Sequence, residues 1–98
     1  MKASLIALVL VSAPYVVLAE SDQDWKLCKA VDADHLVIPA CTRLIEANDL
    51  AENDRAIAYS IRGQARWRQR NYDEAIADET KAIEMTKRRI ESSDPWPQ

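Results

Sequence analysis

The sequence predicts an all-α protein, with one small helical domain that follows a cleaved signal peptide. The first 19 residues are apolar after a basic start, as in an export signal. The rest of the chain has a single glycine and no phenylalanine, and its abundant Ala, Glu, Arg and Ile favour helices over sheets. Apolar residues recur at helical spacing in two stretches separated by a polar linker. We therefore expect two antiparallel helix-turn-helix hairpins within residues 20–98, over about 25–48 and about 55–91.

Residues 1–19 are predicted to be a signal peptide. Lys2 supplies the basic start, an apolar run follows over residues 3–18, and Val17 and Ala19 stand where a signal peptidase prefers small residues. We expect cleavage after Ala19 and a periplasmic or secreted protein with no membrane attachment. An uncleaved anchor is the alternative, but the apolar run is shorter than the roughly 20 residues that span a bilayer.

The first hairpin is predicted from two helices on either side of an Asp-rich turn. The first helix would cover about 25–31, and the second about 35–48 with Asp34 as its N-cap. Pro39 complicates the second helix because proline lacks the backbone N–H and its ring clashes with the preceding turn. Regular helix could therefore begin only at Pro39. The apolar stripe of the second helix consists of Leu36, Val37, Cys41, Leu44 and Ile45.

The second hairpin is predicted after the polar linker. Its first helix would cover about 55–70, with Asn53 or Asp54 as the N-cap. Its second helix would start from Asp73 as N-cap and continue to about residue 90, before a proline-rich end that cannot extend it. Helical packing of these two segments against each other is the main structural expectation.

In this second hairpin, small residues stand where the two helices would touch, and an aromatic residue stands at the turn. They are Gly63, Tyr72, Ala75 and Ala82. Gly or Ala at facing positions lets two helices approach to the lower end of the roughly 8 to 10 Å range of helix packing, and Tyr72 would lie at the turn. In this spacing, residues 62–85 resemble a tetratricopeptide repeat (TPR).

The resemblance extends to the first hairpin in weaker form. Residues 41–46 align with residues 79–84 at an offset of 38 positions (79 minus 41), so the first hairpin would be a degenerate copy. The chain is also similar to small exported repeat proteins of Gram-negative bacteria. It departs from the repeat at Arg62, Arg66 and Glu79, where the family usually has large apolar residues. We therefore expect this hairpin to bury less apolar surface than a typical repeat.

The resemblance implies a non-catalytic scaffold or adaptor that binds a protein or peptide partner. In the family, the inner face of the first helix of each pair lines the groove, and here that face would present Ser60, Gln64, Trp67 and Arg68. The peptide-carboxylate clamp of some members needs an asparagine where Ile61 stands, so that specificity is not expected. No cofactor or metal ion is expected. The alternatives are a small periplasmic enzyme or metal-handling protein whose site forms only in three dimensions, and a truncated repeat protein without an independent role.

Cys28 and Cys41 are the only cysteines in the chain. Export would deliver them to an oxidising compartment, and one stands on each arm of the first hairpin, where antiparallel neighbours can meet disulfide geometry. We predict a disulfide between them. Two buried free thiols are the alternative. A redox site is not expected, because there is no Cys-x-x-Cys spacing.

The charged residues point to solvated surfaces more than to chemistry. His35 is the single histidine and lacks companion ligands at metal-binding spacing, so we expect it to face solvent. Arg62, Arg66 and Arg70 recur at four-residue intervals and predict a charged outer stripe. Its partners on the neighbouring helix would be Glu74, Asp78 or Glu79. The full chain has a formal net charge of −3, which argues against nucleic-acid binding.

The fourth helix carries a second apolar face. Ile76, Ile83 and Ile90 recur at seven-residue spacing, where a following repeat would stack in a longer relative. Repeat scaffolds bury a continuous core only by stacking, and about three units are normally needed. We therefore expect self-association or partner binding at this face. A cap formed by Trp96 folding back is the alternative.

Overall fold

A computed structural model describes residues 22–93, and within this range the chain is helical without strands. The predicted all-α class is therefore confirmed. Four helices follow one another: residues 22–28 (α1), Asp34–Glu46 (α2), Glu52–Arg68 (α3) and Tyr72–Ser93 (α4). None of the helices in this range is long and apolar enough to cross a bilayer. The predicted signal peptide, residues 1–19, and the predicted cap Trp96 lie outside the described residues.

Helices α3 and α4 run antiparallel. Arg62 on α3 pairs with Asp78 on α4, whereas Glu52 at the start of α3 pairs with Arg88 near the end of α4. Residue numbers thus rise along one helix as they fall along the other. The same pairing order brings the whole length of α3 against α4, which is the most extensive contact between two helices of the described chain.

Helix α3 also packs against α2, again in antiparallel order. Arg62 of α3 donates to Thr42 of α2, and Arg68 at the end of α3 pairs with Asp34 at the start of α2. Within residues 22–93, the backbones of α2 and α4 do not approach each other. Helix α3 is therefore the central element, with α2 and α4 on either side of it.

The predicted disulfide between Cys28 and Cys41 is present, and it joins α1 to α2. Both cysteines are fully buried, at 0% exposure. Arg43 of α2 also pairs with Asp24 of α1 at 2.8 Å. The disulfide lies within the main hydrophobic core, whose other buried members are Val37, Ala40, Leu44, Ile45, Ala58 and Ala65.

Helix α2 begins one residue before the predicted start, and its N-cap differs from the prediction. It starts at Asp34 and continues through Pro39, so Asp34 is the first helical residue and Ala33 takes the N-cap position without a side-chain hydrogen bond. The expectation that regular helix begins only at Pro39 is wrong. Proline deprives the carbonyl four residues earlier of its donor, and that carbonyl belongs to His35, an exposed residue in the first turn where water can take the donor's place.

Helix α3 also begins earlier than predicted, at Glu52, with Ala51 as N-cap in place of Asn53 or Asp54. Acidic residues in the first turn suit the positive end of the helix dipole. Arg55 fixes the preceding linker. Its guanidinium donates to the carbonyl oxygens of Ala47 at 3.0 Å and Leu50 at 2.8 Å, and also to that of Ile45. The end of α2 is thus satisfied by a side chain from the start of α3.

The turn between α3 and α4 has Schellman geometry. Arg70 adopts a left-handed conformation with φ of 65°, and its N–H donates to the carbonyl of Trp67 at 2.9 Å. The N–H of Asn71 donates to the carbonyl of Arg66 at 2.8 Å. These two bonds satisfy carbonyls at the end of α3 and reverse the chain, although glycine is the usual residue at the left-handed position.

Helix α4 follows the turn at once and begins at Tyr72. Asp73 therefore lies in the first turn, where the helix dipole favours it, and does not cap the helix as predicted. The carbonyl of Asn71 accepts from the N–H of Ala75 at 3.0 Å, and the Asn71 side chain donates to Glu74. Helix α4 thus begins before Asp73, and the turn that precedes it is shorter than predicted.

Candidate functional site

A buried carboxylate lies between α3 and α4. Asp78 is only 4% exposed. Arg62 donates two hydrogen bonds to it, from Nε to Oδ2 at 2.9 Å and from Nη2 to Oδ1 at 2.7 Å. Arg66 donates a third, from Nη1 to Oδ2 at 2.9 Å. Two positive charges, Arg62 and Arg66, therefore meet one negative charge, Asp78, in the contact between the helices. At the exposed edge of this contact, Glu74 lies 3.7 Å from Arg66.

Arg62 ties three helices together. Besides Asp78 on α4, its Nη1 donates to the Oγ1 of Thr42 on α2 at 3.0 Å, and its guanidinium lies 5.4 Å from the ring centre of Tyr59. The hydrogen bonds from Arg62 to Asp78 raise the pKa of the arginine above its ordinary value. This side chain therefore stays charged at any physiological pH.

The predicted pairing of the arginine stripe with the neighbouring helix is confirmed at Asp78 and Glu74, but the predicted outward position is wrong for Arg62 and Arg66. Both side chains turn inward, and only Arg70, in the turn, lies on the outside. Asp78 likewise is not the solvated carboxylate that its residue type suggested. The cause is the register of the two helices, because their antiparallel pairing places Asp78 level with both arginines. A charged group can be buried when it is paired and hydrogen-bonded in this way.

Helices α3 and α4 approach each other closely in the same contact. A Cβ added to Gly63 would stand 3.0 Å from Cγ of Glu79, 3.1 Å from Cβ of Asp78 and 3.2 Å from the carbonyl oxygen of Ala75. Ala75 and Ala82 are both buried on the side of α4 that faces α3. Only a residue without a side chain fits at Gly63 without displacing its neighbours.

Tyr72 takes a different position from the other residues of the repeat pattern. It is about half exposed at the start of α4, and its ring meets Trp67 edge to face with centres 4.7 Å apart. This aromatic pair covers the turn between the two helices. Trp67 is itself largely exposed, so it adds little buried apolar surface to the hairpin.

An open apolar groove follows one side of the α3–α4 pair. It consists of two adjoining depressions with volumes of about 820 Å³ and about 400 Å³. Glu79 and Ile83 line both depressions and mark their junction. At this junction Ser60 of α3 donates to Oε1 of Glu79 at 3.1 Å, a polar bridge between the walls.

Helix α3 forms one wall of this groove and carries the predicted ligand-facing residues. Ser60 lines the larger depression, and Gln64, Trp67 and Arg68 line the smaller one. Arg68 is partly committed elsewhere, because its guanidinium donates to Asp34 of α2 at 2.7 to 3.1 Å. These bonds lower the pKa of Asp34 below its ordinary value.

Helix α4 forms the other wall, through the isoleucines that the sequence assigned to a separate stacking face. Ile76 lines the smaller depression, Ile90 the larger one, and Ile83 both. Their exposures are 58%, 54% and 66%, respectively. Ile57 of α3, 44% exposed, completes the apolar lining. The structure thus brings the predicted ligand face and the predicted stacking face together in one groove.

The groove offers apolar contact and a few charges at its rim, and no reactive constellation. Both cysteines are in the disulfide, and His35 lies exposed on α2, away from the groove. Among residues 22–93, no three His, Cys, Asp or Glu side chains lie close enough to share a metal ion. Sequence reasoning missed Ile57 as a groove residue, and it named Asp78 as a partner of the arginines but missed its burial. The helical spacing of Ile57 from Ser60 and Gln64 could have indicated its place in the groove. The position of Asp78 between Ala75 and Ala82 on one helix face could have indicated its burial.

Comparisons with protein-family models, with curated proteins and with solved structures gave no match to this chain.

Proposed function

We propose that this protein is an exported, TPR-like helical scaffold that binds a protein or peptide partner in the α3–α4 groove and catalyses no reaction. One observation carries the proposal. Three isoleucines of α4 and Trp67 of α3 are exposed along a single groove, while the same helix pair buries a carboxylate. Contiguous exposed apolar surface rimmed by polar residues is typical of interaction sites.

The shape of the groove favours a helical occupant. Ile76 and Ile90 are 14 residues apart, which corresponds to roughly 21 Å along the helix axis at 1.5 Å per residue. An amphipathic helix of similar length can lay apolar side chains at i, i+3, i+4 and i+7 along such a groove. The two depressions, separated by the Ser60–Glu79 bridge, would each accept one cluster of these side chains.

The TPR-like assignment is supported by helix order and by the close contact at Gly63. Consecutive helices pack antiparallel, and small residues stand where α3 and α4 meet. Arg62 and Arg66, which depart from the family pattern, form a self-contained polar cluster with Asp78. The departures therefore have a structural account within this fold.

An oxidising compartment reached by export best accounts for the disulfide. The disulfide between Cys28 and Cys41 is fully buried and joins the first two helices. Such bonds form and persist in oxidising compartments. We propose a periplasmic or secreted location, reached by cleavage of residues 1–19.

Site-specific photo-crosslinking in the exported protein tests the proposal. A photoreactive phenylalanine analogue at Gln64, inside the groove, should give discrete adducts with other polypeptides, and Ile83→Glu in the same chain should abolish them. The same analogue at Glu84, an exposed position of α4 outside the groove lining, is the matched control. Equal labelling at Gln64 and Glu84, or none at Gln64, would contradict a binding role for the groove.

A further inference from the structure

We propose that the groove accepts a second copy of this chain, in a two-fold dimer whose α4 helices pack antiparallel with Ile83 on the symmetry axis. This inference rests on the proposed function, because it assumes that the groove is a protein-binding surface. It goes further by naming the partner and the register. The observations that carry it are the spacing of the exposed isoleucines and the charges between them.

The isoleucines are arranged symmetrically along α4. Ile76 and Ile90 each lie seven residues from Ile83, so all three share one face of the helix. An antiparallel two-fold pairing centred on Ile83 sets residue n of one copy level with residue 166 minus n of the other, where 166 is twice 83. Ile83 then meets itself, and Ile76 meets Ile90 at both ends. A two-fold interface needs this kind of self-complementary surface.

The charged residues between the isoleucines obey the same symmetry. Glu79 and Lys87 lie four residues on either side of Ile83, so the antiparallel register sets Glu79 of each copy level with Lys87 of the other. Within one chain, Glu79 accepts from Ser60, and Lys87 lies 4.0 Å from Glu91, with both of those last side chains mostly exposed. The Glu79 contact is partly buried and the Lys87 contact is exposed, and both side chains line the larger depression of the groove.

The opposite orientation is disfavoured by the same charges. A parallel pairing about the isoleucines would set Glu79 level with Glu79 and Lys87 level with Lys87. Like charges facing each other across an interface are repulsive and suppress the wrong pairing. The antiparallel dimer alternates isoleucine layers with Glu–Lys layers, and only this orientation makes every layer complementary.

The α3 wall provides additional contact in this arrangement. Because Arg62 of α3 lies level with Asp78 of α4, Gln64 and Trp67 lie near the level of Ile76. The register brings Ile90 of the second copy to that level, beside the smaller depression lined by Gln64 and Trp67. The second copy would thus contact both the α3 wall and the α4 wall of the groove. By symmetry, the first copy would make the same contacts in the groove of the second.

Cysteine cross-linking tests the register. Ile83→Cys should form a disulfide-linked dimer on mild oxidation of the full chain, expressed with export, because a residue on the two-fold axis lies next to itself. Ile76→Cys alone should not cross-link, since its two copies would stand roughly 21 Å apart, 14 residues at 1.5 Å each. An equimolar mixture of Ile76→Cys and Ile90→Cys should cross-link. The native Cys28 and Cys41 are bonded and buried, and Glu84→Cys is the exposed control.

Charge reversal tests the electrostatic part by sedimentation. Glu79→Lys should raise the dimer dissociation constant about tenfold or more, because it sets like charges level with each other. The double variant Glu79→Lys/Lys87→Glu should restore dimerisation, which a merely local effect of losing the Ser60 contact would not do. Circular dichroism controls for folding.

Two results would overturn the dimer. One is a wild-type protein that stays monomeric at high micromolar concentration, and the other is efficient cross-linking of Ile76→Cys alone. If the protein is monomeric while Gln64 still photo-crosslinks to other polypeptides, the scaffold function stands and the second copy is the wrong occupant. If Gln64 labels nothing, the proposed function itself fails.

Discussion

Helix α4 has two contrasting faces, and its isoleucines and Asp78 are distributed in the reverse of the way expected for an isolated amphipathic helix. The face against α3 carries Ala75, Asp78, Ala82 and Met85, all buried. The face along the groove carries three isoleucines, each more than half exposed. An amphipathic helix ordinarily turns its large apolar side chains to the core and its charges to water.

The close approach of α3 explains this reversal. At Gly63 the helices are so near that even a methyl group would stand 3.2 Å from the backbone oxygen of Ala75. No isoleucine fits in such a contact, so only small residues and a flat, bidentate arginine–carboxylate pair fill it. The three isoleucines of α4 are therefore left for the groove, whereas Met85 is buried on the inward face. The inward face therefore holds this chain together, and the outward face is available to another.

The largest expected effect is on the inward face, at Asp78. Asp78→Ala would leave Arg62 and Arg66 partly buried without their shared carboxylate, and removal of one member of a buried ion pair typically costs about 3 to 5 kcal/mol. Urea unfolding should show a loss of this size. Glu84→Ala, at an exposed position of the same helix, should change the free energy of unfolding by less than about 0.5 kcal/mol. Similar results for both variants would mean that the buried cluster contributes nothing specific.

The disulfide ranks second, and it marks a contrast between the two halves of the fold. Helices α1 and α2 are joined covalently, whereas α3 and α4 are joined by the charged cluster. The two cysteines are 13 positions apart, and a loop of this size contributes roughly 3 kcal/mol in the chain-entropy model. Reduction should lower the urea midpoint accordingly, and mass spectrometry should show the oxidised protein lighter by two hydrogens. Two alkylatable thiols in the unreduced exported protein would contradict the prediction.

The third effect tests the close contact. Ala75→Leu should overpack it and cost about 1 to 3 kcal/mol, while Ala77→Leu on the exposed side of α4 should be nearly neutral. Gly63→Ala should also destabilise, despite a helix-propensity gain of up to about 1 kcal/mol, because one of its close neighbours is a backbone oxygen that cannot move aside. A higher melting temperature for Gly63→Ala would show that the helices can separate slightly without loss.

The sequence predicted this contact better than it predicted the charges inside it. In the repeat that residues 62–85 resemble, small residues stand where the paired helices touch, so Gly63 and Ala75 could be assigned to a helix contact. The pairing of Arg62 with a carboxylate such as Asp78 was predictable, but the burial of the pair was not, because charged residues are normally solvated and their burial depends on a register set in three dimensions. The expectation that Pro39 would delay the start of the helix failed for a related reason. Proline leaves the carbonyl of His35 without its helical donor, and whether that carbonyl faces solvent depends on the fold.

The groove was only partly predictable on the same grounds. The repeat resemblance implied that Ser60, Gln64 and Trp67 share one face of α3, and helical spacing placed Ile76 and Ile83 on one face of α4. Whether those two faces meet depends on the crossing of the helices, which periodicity does not specify. The structure shows that they line one groove. Two separate sequence expectations, ligand binding and stacking, therefore concern the same surface.

A smaller effect is expected at the turn that sets the register of α3 and α4. Arg70 adopts φ of 65°, a conformation that costs a residue with a side chain about 1 to 2 kcal/mol. Arg70→Gly removes this strain but makes the unfolded chain more flexible, so we expect a net gain of up to about 1 kcal/mol. Arg70→Ala keeps the strain and should not stabilise. Thermal melts of the three proteins distinguish these outcomes, and equal melting temperatures would mean that the turn relaxes in solution.

The smallest effect is expected on the outward face. Ile76 is 58% exposed, so Ile76→Gln removes little buried surface, and glutamine is the better helix former by a few tenths of a kcal/mol. In dilute solution, where a dimer dissociates, the free energy of unfolding should change by less than about 0.5 kcal/mol. If a second copy covers this face, the stability of the wild type alone should rise with protein concentration, because association stabilises the folded state by mass action. The variant should lose that dependence. A loss above about 1 kcal/mol at every concentration would instead place Ile76 in a contact within its own chain, and the contrast between the two faces of α4 would no longer hold.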